Sequence, residues 1–122
     1  MKEDFEAWLN QAKSDLEKAR VLAEKGYYDG STFYSQQTAE KSLKAVWLSK
    51  GNDLIKIHDL LQLGKKVGLT GKMLEKAVSL NPFYSASRYP WVKTEDINSE
   101  DAERIINFAE EILEWCKKQI KI

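Results

Sequence analysis

The side chains with most chemistry to offer sit in one short stretch and one aromatic segment. At about 100° per residue, a helix through the stretch would place Phe33, Gln37, Glu40, Lys44 and Trp47 on a single stripe, with Lys41 and Tyr34 just beside it. Amide and ammonium groups in such a row can hold an anion. Two plainer readings compete: Glu40 and Lys44, four apart, can form a helix-surface ion pair worth about 0.2 to 0.5 kcal/mol, or the row can pair across a homodimer interface. Further along, Arg88 stands beside Tyr89 among aromatic residues, where its planar fork can grip a phosphate through two hydrogen bonds. Together these residues predict a site in which Lys41, Lys44 and Arg88 converge near Gln37 and Tyr89 on an anionic group, either of a nucleotide or of a partner's substrate.

His58 is the only histidine. It can bind phosphate or move a proton, but it can equally cap a helix or bond a backbone carbonyl, and a lone histidine lacks the base and orienting partner of a catalytic set. The structural role is therefore the expected one. Cys116, the only cysteine, falls on an apolar helical stripe, where a small buried hydrophobe is expected rather than a nucleophile. There is no thiolate cluster, no glutamate three residues before a histidine, no Walker loop and no dinucleotide glycine fingerprint. The sequence thus predicts neither a metal nor a cofactor.

The elements that must position these groups read as helices. Phe5, Trp8, Leu9, Ala12, Leu16, Ala19, Leu22 and Ala23 recur at steps of three and four, an amphipathic helix of about six turns. Gly26 suits a left-handed cap, and Asp29 or Ser31 can cap the next helix, expected from about Asp29 to Lys50. In that helix the apolar residues Phe33, Ala39, Leu43, Ala45, Val46, Trp47 and Leu48 surround much of the axis, so it should be the central one. Ile57 to Val67 predicts a short third helix with Leu60, Leu61 and Leu63 apolar and His58 or Asp59 near its start, stopped by Gly68. Thr70 can cap a fourth containing Met73, Leu74, Ala77, Val78 and Leu80, which Pro82 should end. Phe83 to Ile97 lacks a period and reads as an ordered loop. Asn98 or Ser99 then opens a last helix with the face Ala102, Ile105, Ile106, Ala109, Ile112, Leu113 and Cys116. The expected architecture is an all-α, antiparallel up-and-down bundle of four to five helices, forming a single domain over residues 1–122.

Composition narrows the function. Nineteen basic residues balance nineteen acidic ones, so binding nucleic acid or an anionic membrane would need a local patch rather than a net field. Only Arg20, Arg88 and Arg104 are arginine, and the Lys and Glu excess resembles surfaces described for thermophile proteins. A single cysteine fits a reducing, cytoplasmic setting. No run of eighteen apolar residues is present, and Met1 to Asn10 has no apolar stretch of signal-peptide length. Four tryptophans and the aromatic Phe83 to Trp91 segment exceed what a loop needs, which predicts a homodimer.

Gln36, Gln37, Thr38, Ala39, Glu40, Lys41, Ser42, Leu43, Lys44 and Ala45 resemble the signature of HEPN domains: a glutamine pair, then alanine, glutamate, lysine and a second lysine three residues on. Trp8, Ala12, Asp15, Leu16 and Ala19 resemble the family's first helix, Gly26 and Tyr27 its first turn. His58, Asp59, Leu60 and Leu63 resemble its short third helix, and Arg88, Tyr89 and Pro90 the Arg-Tyr-Pro loop of the bacterial and archaeal branch. The resemblance implies a helical bundle that commonly dimerises and often accompanies a minimal nucleotidyltransferase, as a complex or a toxin and antitoxin pair, with a nucleotide as implied ligand.

Active members of that family are ribonucleases that use an arginine followed, after four to six residues, by a histidine. Here that arginine would have to occupy Gly51, Asn52 or Asp53, and Arg88 is followed by no histidine. Cleavage of a phosphodiester without metal needs a proton-transfer group working near neutrality and a cation against the phosphate. The expectation is therefore a non-catalytic accessory or binding module, with a divergent ribonuclease toxin acting on RNA as the alternative.

Overall fold

The computed structural model describes residues 4–84 and 97–120. Within them the chain forms five α-helices and one short 3-10 turn, with no strand. Helix α1 spans Phe5–Glu24 and starts where the Asp4 carboxylate accepts the Glu6 amide at 2.9 Å. It ends in a Schellman turn: Gly26 takes φ +82°, and the amide of Tyr27 reaches back to the Leu22 carbonyl at 2.9 Å. Its buried stripe is Leu9, Ala12, Asp15, Leu16 and Ala19.

Helix α2, Tyr28–Ser49, is the centre of the bundle and packs against α1, against α5 (Ser99–Ile120) and against α3 (Leu60–Val67). It begins one residue before Asp29, so neither expected cap forms. Asp29 lies inside the first turn, where its charge still favours the helix N-terminus, and the Ser31 hydroxyl instead donates across to the Ala19 carbonyl of α1 at 2.8 Å. The centrality of α2 does not rest on a greasy surface. Its buried residues are Ser31, Thr32, Ser35, Gln36, Thr38, Glu40, Ser42 and Lys44 as well as Ala39, Leu43, Ala45, Val46 and Leu48. Small side chains let α1 and α5 come close, and their hydroxyls bond to main-chain carbonyls: Thr38 to Ala12 at 3.2 Å, Ser35 to Ser31 at 3.0 Å and Ser42 to Thr38 at 2.6 Å. Every buried side-chain polar atom among the described residues has a partner, as burial requires.

Helix α3 starts at Leu60, three residues later than the period of its apolar residues predicts. Asp59 is the reason: its carboxylate accepts the Leu61 amide at 3.0 Å, while Asn81 bonds both the Asp59 carboxylate (2.9 Å) and the Leu60 amide (2.8 Å). Gly68, at φ +91°, closes α3 as expected, and Leu69 following it is buried. Helix α4, Gly71–Ser79, follows Thr70, whose hydroxyl makes no capping bond. The chain then turns through Asn81–Phe83, with Pro82 inside that turn. Helix α5 opens with a reciprocal cap in which Asn98 accepts the Asp101 amide at 2.8 Å and Asp101 accepts the Asn98 amide at 3.2 Å. Its apolar face is the predicted one, Ala102 to Cys116. The structure is the expected all-α bundle, and no helix among the described residues is long and apolar enough to cross a membrane.

Candidate functional site

The polar stripe of α2 is real, but it is buried. Glu40 and Lys44 form the predicted pair at spacing four, 2.9 Å apart, with each side chain only 5% exposed. This corrects the expectation of a helix-surface ion pair: the interaction lies inside the protein, where an unpaired charge is costly. Both carboxylate oxygens of Glu40 are engaged. Oε1 accepts from the fully buried Gln36 amide at 3.1 Å, whereas Oε2 accepts from Lys44 and faces His58 Nδ1, also at 2.9 Å. Gln37 donates to the Gln36 carbonyl oxygen at 2.6 Å and so belongs to the same network. On its other side the Lys44 ammonium lies over the ring of Trp8, 5.7 Å from the centroid.

Lys41 faces a different carboxylate. Its ammonium donates to Asp15 at 2.6 Å, and Asp15 is almost wholly buried and also accepts from Gln11 at 3.0 Å. The two α2 lysines therefore sit in separate ion pairs. Arg88 and Tyr89, the other half of the predicted anion site, lie outside the described residues.

His58 is neither the cap of α3, a role Asp59 takes, nor bonded to a carbonyl. The carboxylate of Glu40 holds its Nδ1, and the imidazole stacks on the Tyr84 ring, centroids 4.6 Å apart and planes within 22°. This overturns the expectation that the histidine lacks an orienting partner. A carboxylate can only accept, so Nδ1 carries the proton and Nε2 is left over, on a side chain 49% exposed. With a lone pair Nε2 can accept a hydrogen bond, and with a second proton it can donate one.

Asp15 and Trp8 are the participants that site reasoning from the sequence passed over. A signal existed for the first: an acid at position 15 sits in phase with Leu9, Ala12, Leu16 and Ala19 on the stripe α1 buries, and a buried carboxylate demands a cation. Burial pushes the Cys116 thiol well above its ordinary range, which fits a buried hydrophobe rather than a nucleophile.

A family model described as HEPN domain matches residues 5–119 of the chain. The chain belongs to the HEPN family. It is 30% identical over 132 residues to the protein named "Putative toxin MJ1304" of Methanocaldococcus jannaschii, covering 93% of this chain and 86% of that one. Among solved structures it resembles ST0689, described as an archaeal HEPN homologue, with 37% identity and a TM-score of 0.79 over 98% of this chain and 99% of the other. TT1696 from Thermus thermophilus is 25% identical with a TM-score of 0.82, over 94% and 97% of the two chains. On this HEPN bundle, the signature stretch Gln36 to Ala45 thus forms a buried ionic and amide network whose outlet at the surface is His58.

Proposed function

We propose that this HEPN protein is a non-catalytic, dimeric binding module that partners a minimal nucleotidyltransferase in a toxin–antitoxin-like pair, in a cytoplasmic setting, and that it holds the anionic end of a nucleotide at His58. The observation that carries this reading is the division of charge on α2. Lys41 and Lys44 each face a buried carboxylate, Asp15 and Glu40, while His58, held by Glu40, turns its other ring nitrogen outward. A histidine held in this way can bind a phosphate, yet neither α2 lysine offers it the unpaired cation that phosphodiester cleavage asks for. The two-component arrangement is what the resemblance of Gln36 to Ala45 to the HEPN signature implies. In this reading Lys44 and Gln37 act from behind, by fixing Glu40 and Gln36, and Arg88 and Tyr89 remain candidates to complete the anion site.

The second reading, a divergent ribonuclease toxin, is favoured by one specific feature: Glu40 orients His58 as a carboxylate orients a general base, leaving Nε2 to take a proton from a ribose hydroxyl. The toxin name of the archaeal relative is compatible with it. One experiment separates the two. The chain is expressed alone and together with the product of the adjacent reading frame, which this reading expects to be a minimal nucleotidyltransferase, with growth, RNA integrity and copurification followed. Stable copurification without RNA loss is the expected outcome. RNA degradation by the chain alone, abolished by His58→Asn, would replace the accessory reading with the enzymatic one.

A further inference from the structure

We propose that the short turn after α4 is the positioning element of His58: Tyr84 sets the plane of the imidazole, and Asn81 holds the main chain that carries it. This deepens the reading of His58 as an anion anchor and rests on that reading for the ligand, though not for the geometry.

The need for a second holder is physical. His58 is 49% exposed, and Glu40 holds it through Nδ1 at 2.9 Å. A hydrogen bond fixes a distance and a direction, but it leaves the ring free to turn about the Nδ1···Oε2 line, and Nε2 sweeps through solvent as it turns. A ligand would then have to order the side chain at its own cost. Tyr84 removes that freedom. Its ring stacks on the imidazole with centroids 4.6 Å apart and planes within 22°, which fixes the plane that the hydrogen bond leaves open.

Asn81 does for the main chain what Tyr84 does for the ring. The two ends of its amide bond the two residues that follow His58: Oδ1 accepts the Leu60 amide at 2.8 Å, and Nδ2 donates to the Asp59 carboxylate at 2.9 Å. The turn is itself anchored. Leu80 before it is fully buried, Pro82 inside it has its φ set by its own ring, and Phe83 packs against the core. It also lies against α2, the helix that carries Glu40. Glu40 and the turn therefore grip His58 from one frame and leave Nε2 at the edge of a ring whose plane is set. The face that Tyr84 covers is closed to a ligand, so an anion must meet the imidazole at that edge.

Proton NMR on the full chain tests this, because His58 is the only histidine and its ring signals are unique. In wild type they should lie upfield of those of a free histidine, shielded by the Tyr84 ring; signals at the free position overturn the stack without any mutation. Tyr84→Leu should return them towards that position and weaken the binding of inorganic phosphate roughly threefold, since the ligand must now order the side chain. Tyr84→Phe keeps the ring and should restore both. Asn81→Ala, the second variant, should shift the same signals with Tyr84 still present. A merely structural turn predicts instead that both variants lower the melting temperature while the ring signals of the folded chain stay in place, and that result overturns the proposal. Phosphate affinity equal in wild type and Tyr84→Leu also overturns it, with the His58 anchor left standing. If the ring signals respond as expected but wild type binds no phosphate, the positioning stands and the anchor falls.

Discussion

Replacing Glu40 by glutamine tests the buried network at its centre. The two side chains have almost the same shape, so the change removes charge and swaps one oxygen for an NH2 group. Neither orientation of the new amide is satisfactory. Gln36 donates to one oxygen of Glu40, and Lys44 and His58 face the other, so the NH2 must point at a donor whichever way it turns. Lys44, only 5% exposed, is also left as a buried cation without its counter-charge. Breaking a buried pair from one side costs about 3 to 5 kcal/mol, a large part of the roughly 5 to 15 kcal/mol that holds a domain folded. With a urea slope near about 2 kcal/mol/M, the unfolding midpoint should fall by roughly 2 M. Lys44→Met should cost a similar amount by stranding the carboxylate, but the double variant Glu40→Gln with Lys44→Met should recover much of the loss, because it leaves no unpaired charge. A Glu40→Gln cost below about 1 kcal/mol, or a double variant that loses the sum of the two singles, would refute the buried-pair argument.

Two further predictions bear on the frame around the site. Leu43 is fully buried on α2, so Leu43→Ala should destabilise by about 2 to 5 kcal/mol, and a urea-melt loss under about 0.5 kcal/mol would displace α2 from the core. The Asp59 carboxyl is held below its usual range, chiefly because it accepts the Leu61 backbone amide. A depressed folded value means that its stabilisation is present above the unfolded carboxylate range and is lost as pH falls through the folded value. Asp59→Ala should therefore cost about 0.5 to 2 kcal/mol at neutral pH, and the gap in melting temperature from wild type should close as pH falls below the ordinary carboxylate range and through the depressed folded value. A gap that persists there would mean that the carboxylate charge is not what caps α3.

Most helix positions were legible because apolar spacing and stop signals agreed. Gly26 and Gly68 adopt the left-handed φ that their places after α1 and α3 required. The starts were harder to read. Asp29 and Ser31 had the right residue types for capping α2, but the tertiary bond from Ser31 to Ala19 outcompeted the local one. The cap of α3, Asp59, is local and could be read, but the Asn81 bonds that brace it come from some twenty residues away and no local pattern could reveal them. The same holds for the site. The Glu40–Lys44 pairing is a matter of helical spacing and was readable, whereas its burial depends on Trp8 and His58 covering it from two other segments. Lys41 illustrates the limit most clearly, since its partner Asp15 lies on another helix and betrays itself only as an acid in an apolar stripe.

That arrangement explains how one polar stripe can serve both the fold and a ligand. The Lys41–Asp15 bond sets α2 against α1, and the Glu40–His58 bond ties α2 to the segment before α3. Hydrophobic contacts are non-directional and would tolerate sliding between these pieces. Charge-assisted hydrogen bonds near 2.6 to 2.9 Å would not. The network therefore costs desolvation and returns geometry: it fixes where Trp8 and His58 stand relative to each other. A purely structural stripe needs only that no buried charge be left unpaired, so the double variant Glu40→Gln with Lys44→Met should recover most of the stability and leave ligand binding unchanged. A stripe that positions a site predicts a different result from the same double variant, namely recovered stability with a His58 ring that has lost its fixed orientation and a nucleotide affinity that does not recover with the fold.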